Sequence, residues 1–209
     1  MRLNPKTLAG ASAAALTALG LVLAAPAIGA GPIVLSPAGV ELAGGPAVAK
    51  DASATQMKRY RNAKWDFALD VPAGWNALPP GSGRDADDVK SPYEVVRFAK
   101  LGDPTLMSVY RMPYDPALGP AASVSQTQAT LAKDGYSHFV GGETAIGRRR
   151  VLTLDGEKRQ PGGETWHVRA YHVVDGTLEY VLGFGAADPA TLSGVDDRVA
   201  KSFTFGETS

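Results

Sequence analysis

The side chains with the most chemical potential in this chain fall in a few short stretches. Ser137 and His138 are adjacent, and Gly135-Tyr136-Ser137-His138-Phe139 starts like the Gly-x-Ser-x-Gly turn that exposes a nucleophilic serine, but lacks its last glycine. Neighbours in a strand point to opposite faces, so no serine–histidine dyad is expected there, and Ser137 reads as a strand-edge hydroxyl. Asp85, Asp87 and Asp88 offer oxygen ligands of the kind calcium takes. They lack the following glycine and glutamate of a calcium-binding loop, so a solvated acidic loop is the simpler reading. His167 and His172 are five residues apart. In a strand that spacing puts them on opposite faces, and His172 reads as a borderline-buried histidine holding a hydrogen bond. Gly81-Ser82-Gly83 has neither the third glycine nor the preceding strand of a phosphate-cradling loop, and Pro79-Pro80-Gly81 reads as a turn. No catalytic residue, metal ligand or cofactor is expected from these patterns.

Binding has better material. Arg148, Arg149 and Arg150 open a predicted strand, and Lys158 and Arg159 lie in the loop beyond it. If that strand pairs with the one spanning Glu164 to Val174, Arg148 and Arg150 join His167, Arg169 and Tyr171 in one basic-aromatic patch. Such a patch suits a carboxylate, a phosphate or an acidic protein surface. The competing reading is that the arginines solubilise a strand end and pair with nearby acids. Trp65, Trp75 and Trp166 each sit in an otherwise apolar strand or turn and read as core or staple residues.

The elements that must position these groups are mostly strands. Trp65, Phe67, Leu69 and Val71 alternate with Asp66, Ala68 and Asp70, the pattern of a half-buried strand ended by the turn Pro72-Ala73-Gly74-Trp75. Glu94–Lys100 and Thr105–Met112 form a predicted hairpin around Gly102-Asp103-Pro104. Ser123 and Gln126 predict a capping box for a helix ending near Gly135. Strands follow at about His138–Ile146, Arg148–Leu154, Glu164–Val174 and Thr177–Gly185. Asp188-Pro189 caps a last helix with Leu192, Val195 and Val199 on one face, and Ser202-Phe203-Thr204-Phe205 closes the domain. Asp175-Gly176 marks the turn of the last hairpin. A three-residue loop, Val174 to Gly176, makes one clean apolar face and puts His167, Arg169, Tyr171 and Glu179 on the other, so this register is expected.

Residues 1–30 read as a secretory signal: Arg2 and Lys6, no acidic residue before Glu41, and an alanine- and leucine-rich run from Leu8 to Ala25. Small residues suit cleavage near Ala27 or Ala30, which predicts a periplasmic or secreted protein. The run is about 18 residues, the lower edge for a membrane span, so membrane attachment is expected only if the segment is retained. The opening has no Arg-Arg pair, and the chain has no cysteine, which excludes a lipid-bearing cysteine and disulfides. Residues 31–58, with Pro32, Pro37, Pro46 and Gly44-Gly45, read as a flexible linker, and residues 59–206 as one domain. Without residues 1–30 the chain has 19 basic against 21 acidic residues, a net charge of −2. That balance argues against nucleic acid as a partner.

The run Trp65-Asp66-Phe67-Ala68-Leu69-Asp70-Val71-Pro72-Ala73-Gly74-Trp75 resembles the aromatic strand and P-x-G-W turn that open PsbP-like domains, members of the wider Mog/PsbP/DcrB/LpqN fold group. The hairpin at Val174-Asp175-Gly176-Thr177 and the last helix running into Ser202-Phe203 are similar to the end of those domains. The resemblance covers roughly residues 60–205. It implies an α/β fold (α+β): a single-domain α/β/α sandwich with a central, mostly antiparallel sheet of six or seven strands and two main helices. It lends no catalytic motif to any position here, and the anchoring cysteine of LpqN-type lipoproteins is absent. The expectation is therefore an exported, non-catalytic binding or accessory protein of the cell envelope, taking a protein or a small anionic ligand. The alternatives are a small extracytoplasmic hydrolase and a structural subunit of an envelope complex.

Overall fold

The aromatic alternation that begins at Trp65 becomes a strand covered on both sides. The computed structural model describes residues 56–81, 91–100 and 105–206. The expected signal, most of the expected linker and the Asp85/Asp87/Asp88 loop lie outside the described residues. β1 (Met57–Asn62) starts just inside the stretch read as linker and pairs antiparallel with β2 (Phe67–Pro72). Phe67, Ala68, Leu69 and Val71 are all buried, so β2 is not the half-buried strand its alternation predicts. The backbone turns at Asp66, which has a φ of 49°, and this leaves Trp65 outside the strand, with the Arg111 guanidinium 4.8 Å from its ring. Trp75 and Trp166 are core residues, as expected.

β3 (Asn76–Leu78), β4 (Glu94–Ala99) and β5 (Leu106–Pro113) begin the main sheet. After α1 (Pro120–Lys133) it continues with β6 (Ser137–Ile146), β7 (Arg149–Arg159), β8 (Thr165–Asp175) and β9 (Leu178–Ala186). The order is β3-β4-β5-β9-β8-β7-β6, antiparallel at every pairing. The chain then runs through α2 (Pro189–Thr191), a π turn (Leu192–Asp196) and α3 (Asp197–Lys201), and ends in β10 (Thr204–Phe205), which joins β2. This is the mostly antiparallel α/β sandwich expected, with seven strands in the main sheet and an additional three-stranded sheet.

The central strands of the main sheet are buried on both faces. On one, Leu154, Trp166, Val168, Ala170 and Val181 pack with Leu131 of α1 and Tyr136 just after it. On the other, Phe98, Val109, Tyr180, Leu182 and Phe184 pack with Phe67 and Leu69 of the small sheet and with Leu192 and Val199 of the last helical segment. Each of the Val, Leu and Phe side chains among these stabilises the fold by ~1.5–3 kcal/mol on full burial.

Burial on both faces removes the signal that was to set the β8–β9 register. The expected three-residue loop does not form. Asp175 pairs with Leu178, and the loop is Gly176-Thr177. Gly176 carries a φ of 61° at the first loop position, the arrangement of a II′ turn, which follows the twist of the strands. Tyr180, Leu182 and Phe184 therefore stand opposite Val173, Tyr171 and Arg169, while Glu179 leaves the Arg169 face for that of His172. β9 offers apolar residues at both parities, so both registers satisfy its pattern.

The helix starts also divide. Asp188 caps α2 through the Ala190 amide at 2.9 Å with Pro189 at the first position, as expected. The Ser123 capping box does not form: Gly119 is the N-cap of α1, Pro120 follows it, and Ser123 sits at the end of the first turn with its hydroxyl free to point at the sheet.

Candidate functional site

The residues expected to form one patch are split between the two faces of the sheet. Arg148 is exposed in the Gly147-Arg148 turn before β7. Arg150 lies on the α1 face and donates from Nη2 to Glu143 Oε2 at 2.5 Å. His167, Arg169 and Tyr171 lie on the opposite face. Arg169 grips Asp155 with two bonds, Nε to Oδ1 at 2.6 Å and Nη2 to Oδ2 at 3.0 Å, and the buried Tyr171 hydroxyl donates to Asp197 of α3. Burial, and then the Asp197 bond, push the Tyr171 phenol well above its usual range, and the Asp155 bond holds Arg169 firmly protonated. Arg169 and Tyr171 thus come together, but with acidic partners: Asp155 of the neighbouring strand and Asp197 of the last helix.

Asp196, at the end of the π turn beside this cluster, is fully buried, and neither carboxylate oxygen has a hydrogen-bond partner among the described residues. Burial pushes its pKa up to about 8, with Arg169 opposing the rise and Asp197 adding to it.

Ser137 and His138 are closer than strand geometry allows. A bulge between Ser137 and Val140, with His138 at a φ of 51°, brings the Ser137 hydroxyl within 3.2 Å of His138 Nδ1. This corrects the expectation that they face apart. Glu157 lies 2.8 Å from the same nitrogen. A serine–histidine–acid relay needs the acid on one ring nitrogen and the serine on the other. Here both share Nδ1 on an exposed ring, which leaves no path from hydroxyl to base to acid.

A second histidine is built in from three elements. His172 of β8 is buried, as expected, and its Nδ1 lies 2.8 Å from Glu179 Oε1 on β9. Glu179 Oε2 accepts from the hydroxyl of Ser123, reaching down from α1. A carboxylate whose oxygens both accept fixes the proton on His172 Nδ1. The other nitrogen, Nε2, is buried without a hydrogen-bond partner among the described residues. Ser123 Oγ lies 3.5 Å from Nδ1, again the nitrogen that the acid holds. The trio has the composition of a hydrolase triad without its wiring.

His172 is among the residues lining a pocket of about 490 Å³ between the start of α1 and the end of β8, although its side chain is itself fully buried. Leu152, Val174 and Tyr114 supply apolar wall, Gly119 and Pro120 the helix start, and Arg150 the rim. Arg150 is the one residue of the expected patch that reaches it. Reasoning from sequence missed Ser123 and Glu179 as parts of this site. Ser123 was read as a cap, and Glu179 was placed on the other face by the wrong register. Among the described residues no three His, Asp or Glu side chains are grouped to hold a metal ion, and no helix is long and apolar enough to cross a membrane.

No family model and no curated relative matches the sequence. The structure matches solved proteins of the PsbP-like fold group, which is the fold of this chain. Cyanobacterial PsbP (CyanoP) from Synechocystis superposes with a TM-score of 0.53 at 16% identity, over 75% of this chain and 96% of that one. LpqN of Mycobacterium tuberculosis, described as involved in cell envelope biogenesis, gives 0.49 at 17% identity over 71% of this chain and 90% of its own. The Ran-binding protein Mog1p of Saccharomyces cerevisiae gives 0.49 at 9% over 72% and 96%. At these identities the likeness is one of fold.

Proposed function

We propose that this chain is an exported, non-catalytic binding or accessory protein of the cell envelope, with a protein or a small anionic ligand as its partner. The observation that carries the binding role is the pocket of about 490 Å³ beside His172, with Arg150 at its rim. Pockets of that size with few polar groups are the usual seats of small ligands. The non-catalytic reading is supported by the histidines, where hydroxyl and carboxylate compete for one ring nitrogen instead of taking one each. Export rests on the basic start and apolar run of residues 1–30, with release near Ala27 or Ala30. Arg150, which lines the pocket, and the exposed Arg148 nearby support this reading, while Arg169, Tyr171 and His167 lie on the opposite face of the sheet.

The test is recovery of the protein from the envelope fraction of its own cells. N-terminal sequencing is expected to start at Ile28 or Gly31. Native mass spectrometry is expected to show a bound species that Arg148→Glu/Arg150→Glu loses. An unprocessed cytosolic chain would overturn the export reading. A protein with no adduct or partner, identical in the variant, would overturn the binding one.

A further inference from the structure

β6 forms one end of the main sheet, so one row of its backbone groups faces away from the ladder. The turn that follows fixes which row. Gly147-Arg148 is a two-residue loop with Gly147 at a φ of 60°, closed by the pair Ile146 and Arg149. Such a closing pair bonds its amides and carbonyls across the hairpin, and the direction alternates along the strand. Ile146, Thr144 and Gly142 therefore bond to β7, while Ala145, Glu143 and Gly141 aim outward. All three are exposed, and their outward groups have no hydrogen-bond partner among the described residues. Natural sheet edges are guarded by lysine, proline, bulges or short length. Ser137–Ile146 holds neither lysine nor proline, and its bulge guards only the end near Ser137. The opposite edge, β3, is three residues long.

We propose that this edge pairs with the same edge of a second copy of the chain, antiparallel about a two-fold axis at Thr144. Gly141, Gly142 and Ala145 offer no side-chain pockets, from which a sheet edge takes its specificity for a foreign peptide. A two-fold contact needs only self-complementarity, and the charges supply it. On the α1 face Arg150 stands beside Ala145, and its Nη2 lies 2.5 Å from Glu143 Oε2. An axis at Glu143 sets the two glutamates directly opposite each other, which is unfavourable. An axis at Gly142 runs the pairing into the bulge and gives Arg150 no second carboxylate. With the axis at Thr144, Ala145 faces the partner's Glu143, and the two threonines form a favourable cross-strand pair. The small Ala145 side chain lets Arg150 reach across it, so each guanidinium stands between its own carboxylate and the partner's. Glu143 and Ala145 exchange backbone hydrogen bonds with their counterparts in both directions, and the main sheet runs on through both copies.

An edge-to-edge strand contact is smaller than the ~1,200 Å² of a stable interface, so a dissociation constant on the order of 100 μM is expected. The experiment is amide hydrogen exchange by NMR, with sedimentation velocity, on isotope-labelled protein isolated from its own cells. Between about 10 μM and 1 mM the amides of Glu143 and Ala145 are expected to slow roughly fourfold, the change that constant gives, as dimer appears in sedimentation. Ala145→Pro removes an outward amide that β7 does not use, and is expected to abolish both effects. Arg150→Glu gathers like charges at the axis and is expected to abolish them too. Glu143→Arg/Arg150→Glu restores alternating charges and is expected to restore the dimer. Arg150 and Glu143 are exposed, so these two variants keep the fold and decide the matter even if Ala145→Pro does not fold. Exchange independent of concentration, slowing confined to other surfaces, association that survives Arg150→Glu, or a charge swap that restores nothing would each overturn the proposal.

Discussion

Glu179 reaches His172 diagonally across two strands: it stands opposite Val174, two residues from the position facing His172, yet the carboxylate sits 2.8 Å from Nδ1. Both side chains are buried, so each is the other's substitute for water. Removing one partner of such a pair strands the other. Glu179→Ala is expected to cost about 3–5 kcal/mol in urea unfolding. The double variant His172→Phe/Glu179→Leu is expected to recover most of that loss, since apolar residues of similar size replace buried pairs well. A double variant as unstable as the sum of its parts would refute this account.

Asp196 makes stability fall with rising pH. Its ordinary pKa of 3.8 is raised to about 8 in the fold. Between these values the native state keeps a proton that the unfolded chain releases. Stability therefore decreases as pH rises through that window, with nothing lost below about 3.8 and the loss complete above about 8. Calorimetry at pH 5 and pH 8 is expected to show a lower Tm at pH 8, and Asp196→Asn is expected to narrow the gap. A gap unchanged by the substitution would rule Asp196 out as its source.

The Ser123 hydroxyl donates a hydrogen bond to Glu179. Incubation with p-nitrophenyl acetate is expected to give background hydrolysis in the wild type and the same rate in Ser123→Ala. A turnover that vanishes with the Ser123 hydroxyl would restore the hydrolase reading.

Tyr171 holds the last helix to the sheet through Asp197, and Arg169, braced by Asp155 of β7, lies 3.9 Å from the same carboxylate. Tyr171→Phe is expected to cost about 1 kcal/mol in denaturant unfolding, because Asp197 stays partly in water after losing the bond. The adduct carried by the protein should be unchanged. Loss of that adduct in Tyr171→Phe would move the binding site to this face.

Much of the fold was legible because it rests on local signals. The Asp188-Pro189 cap, the turn at Trp75 and most strand runs from Glu94 onward act over a few residues and stand within a residue or so of where expected. β7, however, runs on to Arg159, so Lys158 and Arg159 lie in the strand and not in the loop expected beyond Leu154. The end of α1 near Gly135, with its φ of 86°, was readable for the same reason. The site was less legible. The spacing from His172 to Glu179 means nothing until the turn register is known, and a one-residue slip moves Glu179 to the other face. Ser123 resembles a cap in sequence, because the same hydroxyl serves a helix amide or a carboxylate across the core.

By itself the sequence determined a succession of strands with helices, a hydrogen-bonded and at least borderline-buried His172, the absence of disulfides, and which arginines cluster in the chain. Those follow from residue type and short-range pattern. Tertiary structure decided which charges meet. It turned Arg150 toward a pocket and Arg169 toward Asp155, put Ser137 and His138 in contact through a bulge, and joined Ser123, His172 and Glu179 from three elements. The reason is physical: a sheet buried on both faces carries apolar residues at both parities, so pairing register and helix placement, not alternation, assign each polar group its partner.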